Sequence, residues 1–119
     1  MSNLKLPSMT YDSLAEKLRG ASERTIAYKT KAIQYDVDGL SIGVTHHDHL
    51  IAIVHPNGVQ LVHAGWNSVT TSARMNRVLC DNLPGTEYRV GIRQGILSLI
   101  HHYEVRPLSR THRETFLNY

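Results

Sequence analysis

Residues 40–64 constrain the fold of this chain more than any other stretch. Leu40 to Thr45 alternates Leu40, Ile42 and Val44 with small or polar residues, the period of a strand. His49 to His55 carries Leu50, Ile51, Ile53 and Val54, a mostly buried strand. Pro56-Asn57-Gly58 predicts a tight turn, with Gly or Asn supplying a positive φ. Val59 to Ala64 then returns as a further strand. Strands this short, joined by turns this tight, pair with their sequence neighbours, so an antiparallel meander is expected.

The flanking segments add helices and a second hairpin. Tyr11 to Arg19 predicts a short helix capped by Thr10 or Asp12, with Leu14 and Leu18 on one face and Gly20 as its stop. Arg24 to Asp36 alternates irregularly and is expected to be one strand, with Asp36-Val-Asp-Gly39 as a hairpin turn. A helix over Thr71 to Leu83 shows Met75, Val78 and Leu79 as its apolar stripe and ends at Pro84-Gly85. Glu87 to Ile92 and Ile96 to His102 form a hairpin about Arg93-Gln-Gly95. The expected class is a small single α+β domain over 1–119, mainly antiparallel, with 1–9 and 106–119 as loose or partner-bound tails.

At 119 residues the chain suits one domain with a modest core, and 41% apolar with 19% charged residues argues against wholesale disorder. No apolar run approaches the roughly 20 residues of a membrane span, and the N-terminus lacks the apolar core of a signal peptide. Cys80, the lone cysteine, fits a reducing cytoplasm and is expected to pack on its helix rather than act as a nucleophile. The net charge is +3, and beyond Trp66 every basic residue is an arginine: Arg74, Arg77, Arg89, Arg93, Arg106, Arg110 and Arg113. Arginine's planar fork suits phosphate and stacks on bases, while single surface arginines are also ordinary solvated charge.

Signals for catalysis are weak. His46-His47-Asp48-His49 is the metal suspect: on a strand, His47 and His49 share one side, with His55 and His63 joining only through sheet pairing. Zinc sites usually show spaced Cys/His patterns, and none is present, so histidines of a polar turn are the simpler reading. No nucleophile elbow, Walker loop or dinucleotide fingerprint occurs, and the carboxylates, Glu87 and Glu104 among them, have no partner that the sequence identifies. The chain reads as a binder before an enzyme, with no cofactor and no metal expected.

Residues 65–79 carry the functional signal. Gly65-Trp66 leads into a Ser/Thr-rich helix start at Thr70, Thr71 and Ser72, followed by Arg74, Asn76 and Arg77. Hydroxyls and orphan N–H groups at a helix N-terminus suit an anion, and an aromatic ring just upstream suits a stacked base. Trp66 reads equally as a core aromatic. Asn76, a poor mid-helix residue, either hydrogen-bonds a neighbouring loop or recognises a ligand.

The order Asp38-Gly39, Pro56-Asn57-Gly58, Gly65-Trp66, Thr70-Thr71, Arg74, Asn76 and Tyr88-Arg89-Val90 resembles the first type of phage Thoeris anti-defence proteins over roughly residues 38–99. Gly-Trp-x3-Thr-Thr-x2-Arg-x-Asn, Gly65 to Asn76 here, is its most specific part. The resemblance implies a non-enzymatic sponge in the cytoplasm of an infected bacterium, sequestering glycocyclic ADP-ribose. Some members of that family also bind cyclic di- or trinucleotides and assemble as dimers or hexamers. It further implies that Trp66 stacks on adenine, Asn76 bonds the ligand and Arg93 contacts ribose or phosphate. Arg74 and Thr71 match the motif, Arg74 as a support of the site or a contact to a second ligand. Relatives carry arginine where this chain reads Val44-Thr45-His46-His47, so that phosphate contact is lost or passes to His46 or His47. The alternatives are a small nucleic-acid-binding module, resting on the late arginines, and a metal-dependent phosphodiesterase using the 46–49 histidines.

Overall fold

The structure, a computed structural model, describes residues 7–35, 41–63, 65, 67–108 and 114–117. Helix α1 (Tyr11–Leu18) is followed by strands β1 (Glu23–Ala27), β2 (Thr30–Gln34), β3 (Ile42–His46), β4 (His49–His55) and β5 (Gly58–Leu61). Helix α2 (Val69–Asn82) then leads to β6 (Tyr88–Arg93), β7 (Ile96–His101), β8 (Glu104–Pro107) and β9 (Glu114–Leu117). Two antiparallel sheets result, ordered β1-β2-β3-β4-β5-β9 and β6-β7-β8. The α+β class and the β3-β4-β5 meander agree with the sequence reading, while Leu40 and Ala64, the expected outer limits of that meander, lie outside the described residues.

The turns explain the pairing. His47-Asp48 and Gln94-Gly95 close two-residue hairpins with positive φ at both positions, the twist-matched geometry of primed turns. Pro56-Asn57 closes the β4–β5 hairpin with no positive φ at Asn57 or Gly58, contrary to expectation. Proline's fixed φ suits the first central position of an ordinary turn, so no left-handed residue is required there. The Asp36–Gly39 turn lies outside the described residues.

Two further expectations change. The single strand over Arg24–Asp36 is instead the β1–β2 hairpin, turning at Tyr28-Lys29 with Lys29 at φ 51°. After Arg106 the chain is not wholly loose tail: Glu114–Leu117 pairs with β5 as the last strand of the larger sheet. That strand covers an edge of β5 that would otherwise expose unpaired backbone groups.

Both helices close one continuous core. Thr10 caps α1 by accepting from Ser13 N–H, and Arg19 ends the helix in the left-handed region. Leu14 and Leu18 are buried, as their spacing predicts. Helix α2 buries Met75, Val78 and Leu79 in the same cluster as Val44, Ile51 and Val54 of the larger sheet and Val90, Leu97 and Leu99 of the smaller. Helix α2 therefore bridges the two sheets. Cys80 departs from its expected packing role and lies on the exposed face of α2.

Candidate functional site

The entry to α2 is built from short polar residues that organise one another. Gly65, at φ 91°, donates its N–H to His63 Nδ1 at 2.9 Å. Asn67 Oδ1 accepts from Leu97 N–H at 2.8 Å, which ties the segment to β7. Ser68, rather than a residue nearer Thr71, is the N-cap, and the helix starts two residues before the expected Thr71. Its hydroxyl accepts from Thr71 N–H at 3.2 Å and donates to Thr71 Oγ1 at 2.9 Å. No acidic residue occupies the first turn, so the positive end of the helix dipole is not neutralised from within the helix.

Beneath that turn lies a buried cation. Arg74 is 1% exposed. Its Nε donates to Thr30 Oγ1 at 2.6 Å, and its two terminal nitrogens donate to the carbonyls of Thr70 at 3.1 Å and Tyr28 at 3.0 Å. Every acceptor is neutral, and among the described residues no carboxylate pairs with it. Burial alone lowers its pKa below the ordinary arginine value. An arginine in such a site stays charged, held by dipoles rather than a counter-ion.

His46 belongs to the same network. It is buried, and its Nε2 lies 3.2 Å from Thr70 Oγ1. Burial first, then the positive charge of Arg74 and the neighbouring His47, lower its pKa from 6.5 to about 4. The imidazole is therefore neutral near pH 7. The 46–49 cluster does not behave as a strand with His47 and His49 on one side. His47 and Asp48 are turn residues, His47 and His49 are exposed, and His46 faces inward.

The six sequence-predicted residues separate accordingly. Thr71 and Arg74 are buried parts of the cap and its support, and His47 is exposed on the turn beside His46, ring centroids 4.3 Å apart. Arg93, exposed at the end of β6, pairs in register with Ile96, the neighbour of the Leu97 that Asn67 holds. Asn76 lies farther along α2. Its Oδ1 accepts from Val90 N–H at 2.6 Å and its Nδ2 donates to Val90 carbonyl at 2.7 Å. That is the structural hydrogen bond the sequence left open, and it uses both ends of the amide. Trp66 lies outside the described residues.

Sequence reasoning did not single out Thr30 and Ser68, although they complete the network; a lone hydroxyl residue carries no distinguishing local pattern. Clefts occur elsewhere on the surface. One of 580 Å³ runs along α1 beside Lys17, Arg19 and Arg24, and one of 230 Å³ is lined by Asn76, Cys80, Thr86, Tyr88 and Arg89. The α2 entry is tied to both sheets, through His46 to the larger and through Leu97 to the smaller.

The fold thus defines a two-sheet antiparallel α+β protein with a buried, dipole-held arginine under its central helix. Residues 12–113 match the family model described as Kyanoviridae Gp96 protein, and the chain belongs to that family of cyanophage proteins. No curated protein and no solved structure matches the chain. Among the described residues no helix is long and apolar enough to cross a membrane.

Proposed function

We propose that this phage protein binds and sequesters a small anionic nucleotide signal of the cyclic ADP-ribose type without cleaving it. The observation that carries the reading is Arg74, a cation with no carboxylate partner among the described residues, directly beneath the acid-free first turn of α2. A buried positive charge and a helix N-terminus add at the same surface, and an anion docking there lowers the energy of both. The resemblance of Gly65–Asn76 to the Thoeris anti-defence sponges supplies the ligand class, and membership of a phage family accords with it.

In this reading the exposed Arg93 and His47 touch the phosphates and Trp66 stacks on the base. Thr71 and Arg74 shape the helix start from inside, and Asn76 anchors α2 against β6. Capture works by mass action, which calls for sub-micromolar affinity, about −8 kcal/mol or better. Self-association as a dimer or hexamer is part of the proposal.

A thermal-shift panel of cyclic ADP-ribose isomers and cyclic di- and trinucleotides tests it. One isomer is expected to raise the melting temperature of the full chain, with Arg93→Ala abolishing the rise and leaving the ligand-free melting temperature unchanged. Heat should then release that ligand chemically intact. A cleaved product would indicate an enzyme. No response to any nucleotide, with steeply salt-dependent duplex binding, would indicate a nucleic-acid module.

A further inference from the structure

Away from α2, the start of β6 and the turn after β7 bring three metal-ligating side chains to one corner. Glu87, His101 and His102 offer a carboxylate oxygen and two imidazole nitrogens, all within 4.8 Å of one another. Glu87 Oε2 and His102 Nε2 are 2.6 Å apart. We propose that this corner binds a late first-row divalent cation of the zinc type through two imidazoles and one carboxylate.

The backbone gives the first argument. Successive residues of a strand project to opposite faces, so a His-His pair at a strand end does not normally share a ligand. Here His101 closes β7, and His102 opens the turn at φ 56°, in the left-handed region that glycine prefers. That turn brings the two rings to centroids 4.3 Å apart and directs His102 at Glu87. The same positive φ opens the His47-Asp48 and Gln94-Gly95 turns and is ordinary hairpin geometry; what is particular to this turn is that Glu87 stands opposite it.

Donor chemistry and spacing agree. Ligand atoms at about 2.0–2.2 Å from one zinc stand roughly 3.3 Å apart in a tetrahedron. The Glu87–His102 pair need only open slightly, and the third atom already lies within the 4.8 Å limit. Two imidazoles with one carboxylate suit zinc and its neighbours in the first row rather than calcium or magnesium. His101 is held in orientation by Tyr88, its register partner on β6, stacked at 4.1 Å with an interplanar angle of 11°. Glu87 and His102 are exposed, so loading requires no opening of the core.

Titration calorimetry of the full chain with Zn²⁺ alone, in a non-chelating buffer, tests the assignment. One equivalent is expected to bind, with affinity falling at least about tenfold in Glu87→Gln, His102→Gln and His101→Phe. Phenylalanine keeps the ring against Tyr88 and removes the donor. His47→Gln and His49→Gln should leave binding unchanged. His102→Gly separates the turn's backbone preference from ligation: it should weaken zinc binding as His102→Gln does while holding or raising the melting temperature without metal. Absence of binding, or binding equally strong in all three donor variants, overturns the proposal. Should a variant fail to fold, imidazole NMR of the unaltered chain decides: zinc must shift His101 and His102 together, and shifts confined to other histidines overturn it.

Discussion

Arg74 holds Thr30, its Nε 2.6 Å from the hydroxyl of a residue forty-four positions earlier. The same guanidinium bonds the Tyr28 carbonyl, so one side chain of α2 fastens both ends of the β1–β2 turn. Arg74→Ala removes the guanidinium's bonds to the Thr30 hydroxyl and to the Tyr28 and Thr70 carbonyls and opens a cavity, and should cost about 2–5 kcal/mol. Arg74→Met keeps most of the volume and removes a buried charge, and should cost clearly less. Denaturant unfolding of the two variants checks the order. Equal losses would show that the guanidinium and its hydrogen bonds, not the volume of the side chain, set the cost.

That contact also explains which parts of the fold were legible. Thr10, Leu14 and Leu18 specify α1 within one short segment, and Gln94-Gly95 specifies a hairpin by its own backbone preferences. The Tyr28-Lys29 turn has neither glycine nor asparagine, and its anchor lies on a distant helix, so the stretch reads as one strand. Strand β9 is only four residues long, and its partner is β5, with Gln60 and Thr115 fifty-five residues apart. The α2 entry was recognisable because a run of hydroxyl residues before an apolar stripe is a local signal, although the cap itself, Ser68, was not identified. The inward direction of Arg74 and Asn76 was not, because it follows from what α2 packs against. Glu87 likewise finds His102 only through the β6–β7 register.

Asn76 completes an edge. Strand β6 is the outer strand of the smaller sheet, and the Asn76 amide supplies Val90 with the acceptor and donor that a neighbouring strand would provide. Asn76→Asp keeps the acceptor and turns the donor into an oxygen facing a carbonyl. Asn76→Ala removes both. Each should destabilise by about 1–3 kcal/mol, with hydrogen exchange at the Val90 amide rising more in the alanine variant. Unchanged protection at Val90 in both variants would refute the edge role.

His46 predicts an acid-sensitive fold near neutrality. Its folded pKa of about 4 lies below its ordinary 6.5, so between those values the unfolded chain binds a proton that the folded chain refuses. Stability should therefore fall as pH drops from 6.5 towards 4, by up to roughly 3 kcal/mol. The groups responsible are the apolar surroundings, the Arg74 guanidinium and His47, opposed by the Lys29 carbonyl. His46→Gln should flatten this part of the stability–pH curve. An unchanged slope would assign the effect to other residues.

Arg106 and Glu114 form a second pH-dependent link, this time between the outer strands of the two sheets. Both arms of the guanidinium meet the carboxylate, each at 2.7 Å. The hydrogen bond from Arg106 and its charge hold the Glu114 carboxyl below its ordinary value of 4.5. A carboxyl with a lowered folded pKa contributes stability that is complete above 4.5 and is lost as pH falls through the folded value. Arg106 is more than half exposed, so the pair is worth about 1 kcal/mol rather than the larger value of a buried fork. Glu114→Gln should remove that contribution at pH 7, and amide exchange should rise first in Glu114–Leu117 because β9 has only β5 beside it in the sheet. At pH 3 the variant and the unaltered chain should exchange β9 amides at more nearly equal rates. A gap as wide at pH 3 as at pH 7 would mean that Glu114 holds β9 by packing, not by its charge.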